Sequence, residues 1–218
     1  RKYSMCGIVG GVSNKNITPL LLEGLNLLEY RGYDSSGLIV LTKNNTFDRA
    51  RSVGKVKNLE DSLKKRKHQI IGNIGIAHTR WATHGEPSNH NAHPHISKNS
   101  VSIVHNGIIE NYLELKNNQL ANGYNFTSET DTEVIAHAID FAMKTSSNII
   151  SSVQKALTTL KGSYGLGIVS SKYPNQLIAA KKGSPLVIGI GKSGNYIASD
   201  QMALLSVTKR FIFLEDGD

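Results

Sequence analysis

The sequence predicts an α+β domain with mainly antiparallel sheets. Short apolar, strand-like segments dominate both ends of the 218-residue chain, and helical patterns cluster in its middle. Strands and helices do not alternate in the regular way that βαβ units require. The chain also shows no internal repeat, low-complexity tract or linker, so we expect one domain.

In the first half, periodicity and end signals predict the elements. An apolar, glycine-rich run predicts a buried strand at residues 6–12. Thr18 as N-cap and Pro19 in the first turn open a helix over 20–30 that ends at Gly32. Further strands are expected at 36–41, 46–53, 74–81 and 101–104, and a further helix at 56–66.

In the second half, helices are expected first and strands afterwards. Helical spacing covers 111–122 and 148–160, and between them Thr130 and Glu133 have the form of a capping box before a helix. Short strands are expected at 164–170, 177–181, 186–190, 196–199 and 210–214.

Charge and cysteine content narrow the function classes. The net charge is +8, but the basic residues are scattered apart from Lys64–Lys67, which falls at a predicted helix end without aromatic neighbours. We therefore expect no nucleic-acid partner. A single cysteine cannot form an internal disulfide, and no apolar run approaches the ~18 residues of a membrane span. A cytoplasmic location without membrane association is the expectation.

Cys6 lies almost at the amino terminus, directly before an apolar run. A lone cysteine is most often a small buried hydrophobe. If Met5 is the initiator, however, its removal leaves Cys6 with a free α-amino group beside its thiol. The two groups titrate near ~7.7–8.0 and ~8.5, so they can exchange a proton at neutral pH. Nucleophile and general base would then share one residue, as in an N-terminal nucleophile hydrolase.

Residues 83–100 form a polar stretch with two prolines and four histidines. His90, His93 and His95 have spacing that a metal could use, with His84 and His105 nearby. Zinc in structural sites favours cysteine, which this stretch lacks. We expect no metal and no cofactor, and we favour a loop that shapes a substrate pocket.

Residues 189–194 match the G-x-G-x-x-G pattern and contain Gly-Lys-Ser. A dinucleotide site needs a helix to open there, whereas the following residues indicate a strand. The P-loop pattern also needs a glycine at position 186, which is Leu186. A hairpin turn between two strands is the better interpretation.

Five motifs, read together, carry a family resemblance. They are Cys6-Gly7-Ile8-Val9-Gly10, the YRGYDSSG run at 30–37, HTRWATHG at 78–85, HNGIIEN at 105–111 and SETDTE at 128–133. In this order they resemble the glutaminase domain of the glucosamine-6-phosphate synthases, which are glutamine–fructose-6-phosphate transaminases. The resemblance runs from Cys6 to the C-terminus. It implies the N-terminal nucleophile hydrolase fold, a four-layer αββα sandwich with two stacked, mainly antiparallel sheets.

The resemblance also implies a mechanism for splitting the side-chain amide of L-glutamine. Cys6 would attack as thiolate and form a γ-glutamyl thioester with release of ammonia. The side chain of Asn106 and the backbone N–H of Gly107 would form the oxyanion hole.

The same resemblance assigns the substrate pocket. Arg80 would bind the carboxylate of glutamine and Asp131 its ammonium. Trp81, Thr83 and His84 would belong to a loop that closes over glutamine, and Arg31 and Asp34 would support the nucleophile. The structural alternatives are a core aromatic for Trp81 and a surface ion pair for Arg80.

Two features depart from the family pattern. Residues 1–5 precede Cys6 and are interpreted as a remnant or an initiator methionine, so we expect weak activity until they are removed. Residues 6–218 would be the amidotransferase domain, and the sugar-isomerase half that receives the ammonia is absent from this chain.

Alternative functions are an amidotransferase of another pathway such as purine synthesis, a histidine-loop metalloprotein and a basic binding module. The oligomeric state is left open, a homodimer being one option.

Overall fold

The computed structural model describes residues 6–218, so the predicted assignment of residues 1–5 lies outside the described part. The strands in the described part are β1 (Gly7–Ser13), β2 (Ser35–Leu41), β3 (Phe47–Val53), β4 (Ile74–Arg80), β5 (His95–Ser97), β6 (Val101–Ile109), β7 (Gly162–Ser170), β8 (Tyr173–Lys182), β9 (Val187–Ile190), β10 (Gly194–Ala198) and β11 (Phe211–Phe213). The helices there are α1 (Thr18–Leu28), α2 (Val56–Lys64), α3 (Tyr112–Ala121), α4 (Glu133–Ala142) and α5 (Ile149–Leu157).

The strands form two sheets. The seven-stranded sheet has the order β11-β9-β10-β1-β4-β2-β3, and the four-stranded sheet has the order β5-β6-β7-β8. Every ladder between these strands is antiparallel. The predicted α+β class with antiparallel sheets is therefore confirmed.

Three apolar clusters show how the layers stack. One cluster joins α1 and α2 to the outer face of the seven-stranded sheet, with Leu21 and Leu25 fully buried. A second joins α4 and α5 to the four-stranded sheet. The third lies between the sheets, where Ile8 and Ile76 from one sheet meet Val104 from the other. This arrangement confirms the predicted four-layer αββα sandwich.

The predicted start of α1 is wrong in one respect. Thr18 is not the N-cap but the first helical residue, after Ile17. Its hydroxyl donates a 2.9 Å hydrogen bond to the carbonyl of Ile70 instead of accepting one from the first helical turn. The hydroxyl that the local pattern assigned to helix capping therefore makes a tertiary contact instead.

The predicted capping box at Thr130 is also wrong. Helix α4 begins at Glu133 itself, with Thr132 as the preceding residue and no side-chain cap. The Glu133 carboxylate accepts hydrogen bonds from the backbone N–H groups of Thr127 at 3.0 Å and Ser128 at 2.8 Å. It thus holds the turn that leads to Asp131, which lies just before the helix.

Other elements agree more closely with the sequence. The helix predicted at 148–160 corresponds to α5, and the Asn148 side chain caps it by accepting from the backbone N–H of Ser151 at 2.9 Å. Strands β9 and β10 form the predicted hairpin, closed by a 2.9 Å bond from Gly191 N–H to the Gly194 carbonyl. Strand β5 was not predicted, and β6 extends past residue 104 to Ile109. Between residues 6 and 218, none of the helices combines the length and apolar character needed to cross a membrane.

Candidate active site

A cavity of about 230 Å³ lies where β1, β4 and β6 present their functional residues. Its size is below the ~300–1,000 Å³ usual for drug-sized ligands and suits a single amino acid. The predicted site residues on its wall are Cys6, Arg31, Arg80, Trp81, Thr83, His84, Asn106, Gly107 and Asp131. Asp34 is the predicted residue that does not line it.

The antiparallel pairing of β1 and β4 places Cys6 beside Trp81. Gly7 pairs with Thr79, so the residue before β1 adjoins the residues that follow β4. The backbone N–H of Trp81 donates to the Cys6 sulfur at 3.2 Å, and the thiol lies 3.5 Å from the Trp81 carbonyl oxygen. Burial raises the pKa of the Cys6 thiol, whereas the Trp81 N–H and the charge of Arg80 oppose that rise.

Asn106 and Gly107 lie on β6, opposite Cys6. The Asn106 side-chain amide donates to the Cys6 carbonyl at 3.0 Å, which directs its N–H₂ end toward the cysteine. Gly107 has φ +133°, and a Cβ there would lie 2.2 Å from the Ser163 carbonyl oxygen. Only glycine fits this backbone position, which leaves the strand open toward the cavity.

Arg80 is buried at the end of β4, so a surface ion pair is excluded for it. Its guanidinium donates to the carbonyls of Gly85 at 2.8 Å and Glu86 at 3.3 Å, and also to that of His84. The carboxylate of Asp34, which does not line the cavity, lies 3.7 Å from Nη1 of Arg80. Arg80 therefore fixes the course of the loop that follows Trp81.

Asp131 is buried at the edge of the cavity. One carboxylate oxygen accepts a 2.7 Å hydrogen bond from the backbone N–H of Ile109 at the end of β6. The other lies 3.9 Å from Nδ1 of His84 on the facing loop. Asp131 thus keeps one oxygen directed toward the loop side of the cavity.

Trp81 is exposed to 47%, which argues against a core aromatic. Its ring lies against Gly32, where φ is +139° and a Cβ would be 2.9 Å from Trp81 Cε3. The position of the Trp81 ring therefore requires a glycine at position 32.

Arg31 contacts Asp200 at 3.6 Å through Nη1, while its buried Nε and Nη2 have no hydrogen-bond partner among the described residues.

Further cavity residues were assigned no part in glutamine binding or catalysis by the resemblance. One comes from the histidine-rich stretch, two from β6, two from the turn before α4, and three from β7 and the residues that follow β8. They are His93, His105, Ile108, Thr130, Thr132, Ser163, Ser184 and Pro185. Ser184 and Pro185 carried no local signal, because only the pairing of β7 with β8 brings them here.

The predicted histidine loop is closely packed. The His93 ring stacks on His78 at 4.1 Å and meets His95 edge to face at 4.7 Å. Burial holds the pKa of His93 and that of His95 well below the usual range. Across residues 6–218, no group of three or more His, Cys, Asp or Glu side chains is placed to hold a metal ion.

Comparison with known proteins shows the family of this chain. Residues 78–206, more than half of the chain, match the family described as "Glutamine amidotransferase domain". The chain belongs to the glutamine amidotransferase domain family.

Two curated relatives of this amidotransferase domain carry the same name. The chain is 56% identical over 214 residues to "Glutamine--fructose-6-phosphate aminotransferase [isomerizing]" of Acinetobacter baylyi, covering 98% of this chain and 34% of that protein. It is 53% identical to the protein of the same name from Escherichia coli K12, covering 98% of this chain and 35% of that protein. The chain thus spans about a third of these relatives, and corresponds to their glutaminase part.

Solved structures support the fold. The "structure of the allosteric regulatory enzyme of purine biosynthesis" has a TM-score of 0.81 at 26% identity, covering 97% of this chain and 46% of that one. The glutamine phosphoribosylpyrophosphate amidotransferase of B. subtilis has a TM-score of 0.80 at 24% identity, covering 97% and 46%. The expected N-terminal nucleophile type of fold is therefore confirmed.

Proposed function

We propose that this domain hydrolyses the side-chain amide of L-glutamine to glutamate and ammonia through a thioester on Cys6. The observation that carries the proposal is the content of one cavity. It holds a single thiol, a carboxamide donor and two buried groups of opposite charge, Arg80 and Asp131. A free amino acid with a side-chain amide has the matching groups.

The first half-reaction forms the thioester. The Cys6 thiol gives its proton to its own α-amino group, and the sulfur attacks the side-chain carbonyl carbon of glutamine. The carbonyl oxygen becomes an oxyanion that accepts hydrogen bonds from the Asn106 amide and the Gly107 N–H. When the C–N bond breaks, the α-ammonium returns the proton to the leaving nitrogen, which departs as ammonia.

The second half-reaction returns the free enzyme. Water attacks the thioester carbon while the α-amino group takes its proton, and the same two donors hold the second oxyanion. Collapse of this intermediate breaks the C–S bond and releases glutamate. The proton on the α-ammonium then passes to the Cys6 sulfur. This scheme requires that no residue precedes Cys6 in the active form.

Recognition of glutamine rests on its two charged ends. Arg80 pairs with the carboxylate, and Asp131 with the ammonium through the oxygen that now faces His84. Binding must rearrange some bonds of the Arg80 guanidinium, which now go to loop carbonyls. Trp81, Thr83 and His84 lie on that loop, so binding and loop position are coupled. Arg31 and Asp34 support the nucleophile, Cys6.

The proposal extends to a longer protein in which this domain would be the glutaminase part. The relatives are named as aminotransferases acting on fructose 6-phosphate, and identity to them is 53–56% compared with 24–26% for the purine enzymes. These values favour the sugar pathway over the purine alternative. We propose that residues 6–218 act as one amidotransferase unit and deliver ammonia to a sugar-isomerase domain for glucosamine 6-phosphate synthesis.

Location and partners follow from the same proposal. A reducing compartment such as the cytoplasm keeps the Cys6 thiol free. We expect no nucleic-acid binding, because the basic residues are scattered. The oligomeric state is left open by the proposal, and sedimentation equilibrium would distinguish a homodimer from a monomer.

The experiment is a glutaminase assay on the chain that begins at Cys6, with Cys6→Ala as the matched variant. We expect glutamate and ammonia in equal amounts from the first and none from the second. An electrophilic diazoketone analogue of glutamine should label Cys6 once per chain. Failure of both turnover and labelling in folded protein would contradict the proposal.

A further inference from the structure

His78 lies under the candidate oxyanion hole and has no role in the mechanism given above. It is fully buried on β4, where it pairs with Ile8 of β1 on one side and Gly37 of β2 on the other. Its ring crosses to the second sheet. Nε2 lies 2.9 Å from Oδ1 of Asn106 and 3.0 Å from the carbonyl oxygen of His105.

These two contacts determine which ring nitrogen carries the proton. The His105 carbonyl can only accept a hydrogen bond, so Nε2 of His78 must be an N–H donor. Nδ1 has no hydrogen-bond partner in the described residues, as suits the unprotonated nitrogen of a neutral ring. Burial lowers the pKa of His78 to about 3, although the Asn106 bond opposes the shift. The ring is therefore neutral, with its proton on Nε2.

The tautomer in turn determines the direction of the Asn106 amide. Because Nε2 is a donor, the atom of Asn106 that faces it must be the oxygen. The N–H₂ group then faces the other way, where one hydrogen goes to the Cys6 carbonyl at 3.0 Å. The second hydrogen is left for the cavity. A reversed amide would set its oxygen against the Cys6 carbonyl and leave the oxyanion without this donor.

The His78 ring is itself fixed from one side. The His93 ring stacks on it at 4.1 Å with the planes 29° apart. His93 is held in turn, because the backbone N–H of His105 donates to its Nδ1 at 3.4 Å. A ring packed in this way cannot turn to offer its other nitrogen without moving its neighbours.

We propose that His78 is a positioning residue that orients the Asn106 amide toward the oxyanion formed on glutamine. This inference rests on the proposed function, because an oxyanion forms only if Cys6 attacks an amide. His78 does not touch the substrate and acts through Asn106. Its removal should therefore lower kcat and leave the KM for glutamine nearly unchanged.

The test compares two amide substitutions of His78. In His78→Gln the side-chain nitrogen can occupy the position of Nε2, whereas in His78→Asn it reaches only the position of Nδ1. We expect kcat to fall by about 10- to 100-fold in His78→Asn, since loss of an oxyanion donor costs ~10²–10³-fold and misplacement costs less. His78→Gln should recover most of this loss.

A double-mutant cycle separates positioning from general packing. In an Asn106→Ala background, His78→Asn should cause no additional loss of kcat, because the residue through which it acts is gone. Equal kcat for folded His78→Asn and His78→Gln would overturn the inference. So would an undiminished effect of His78→Asn in the Asn106→Ala background.

A measurement on the unaltered chain covers the case in which the variants fail to fold. Nitrogen NMR of ¹⁵N-histidine-labelled protein should show His78 protonated on Nε2 and not on Nδ1. A ring protonated on Nδ1 alone would contradict the inference. Absence of glutamine turnover by the unsubstituted chain that begins at Cys6 would instead refute the proposed function, and the NMR result would still decide the direction of the amide.

Discussion

The side-chain amide of Asn106 donates a 3.0 Å hydrogen bond to the carbonyl oxygen of Cys6, 100 residues earlier in the chain. Cys6 directly precedes β1 in the seven-stranded sheet, and Asn106 lies on β6 in the four-stranded sheet. The bond therefore joins the two sheets at the cavity. The candidate site exists only when the sheets stack, so packing between them and catalysis depend on the same geometry.

Asn106→Ala should cripple turnover while sparing the fold. Loss of one oxyanion donor lowers kcat by about 10²–10³-fold, and the KM for glutamine should change little because the charged ends are bound elsewhere. Steady-state ammonia release gives both constants. Asn122→Ala, which removes an amide at the exposed end of α3, is the control and should keep full kcat. An Asn106→Ala enzyme with normal kcat would remove Asn106 from the mechanism.

Asp131→Asn should weaken glutamine binding. Asparagine can still accept the hydrogen bond from the Ile109 N–H, so the turn before α4 should persist. The lost charge is worth roughly 1.5–3 kcal/mol in a charge-assisted bond, which predicts a KM about 10- to 100-fold higher. Asp61→Asn removes an exposed carboxylate on α2 and serves as the control. An unchanged KM for Asp131→Asn would exclude it as the ammonium acceptor.

Gly32→Ala should destabilise the chain and displace Trp81. The new Cβ would lie 2.9 Å from Trp81 Cε3, at a φ of +139° that side chains rarely adopt. We expect a loss of about 1–3 kcal/mol in unfolding free energy, together with reduced glutaminase activity. Gly123→Ala also has a positive φ, +78°, but nothing within 4 Å of its Cβ. In urea unfolding and activity assays, Gly123→Ala should lose stability but keep its glutaminase activity. An equal loss of activity in both variants would show that Gly32 has no specific effect on the Trp81 loop.

Acid should unfold the chain through its buried imidazoles. Burial lowers the pKa of His78 to about 3, and that of His95 well below the usual range. The unfolded chain takes up these protons near pH ~6.5, so stability is present above that pH and is lost as the pH falls toward the folded-state values. Each such histidine costs up to about 1.4 kcal/mol per pH unit in that window.

Urea unfolding midpoints measured between pH 7.5 and pH 4.5 test this prediction. His95→Gln removes one buried imidazole and should flatten the dependence on pH. His68→Gln, at an exposed position, should leave it as it was. Midpoints that do not change across this range would show that the histidines are not kept neutral by the fold.

The sequence predicts well what local patterns determine. Helix α5 lies within the predicted range 148–160, and the glycines at 189–194 mark a hairpin rather than a nucleotide site. The motifs around Cys6 and Arg80 likewise identify residues that share the cavity. In each case the determining groups lie within a few residues of one another or within one motif.

Long-range contacts set the limit of that prediction. Thr18 and Thr130 have the residue type of helix caps, but the Thr18 hydroxyl bonds to Ile70 and Glu133 binds the preceding turn. The bond between His78 and Asn106 arises only because two sheets stack face to face. No local sequence pattern near His78 or near Asn106 indicates this hydrogen bond, so it could not be predicted from local patterns.

The most direct test of the account is to compare glutamine turnover with and without residues before Cys6. Mass spectrometry should first verify that one preparation begins at Cys6 and that the other retains Met5. The α-amino group is the proposed proton carrier, so we predict ammonia release from the first form and a loss of about 10²–10⁴-fold in kcat for the second. Full turnover by chains that still carry Met5 would contradict the account.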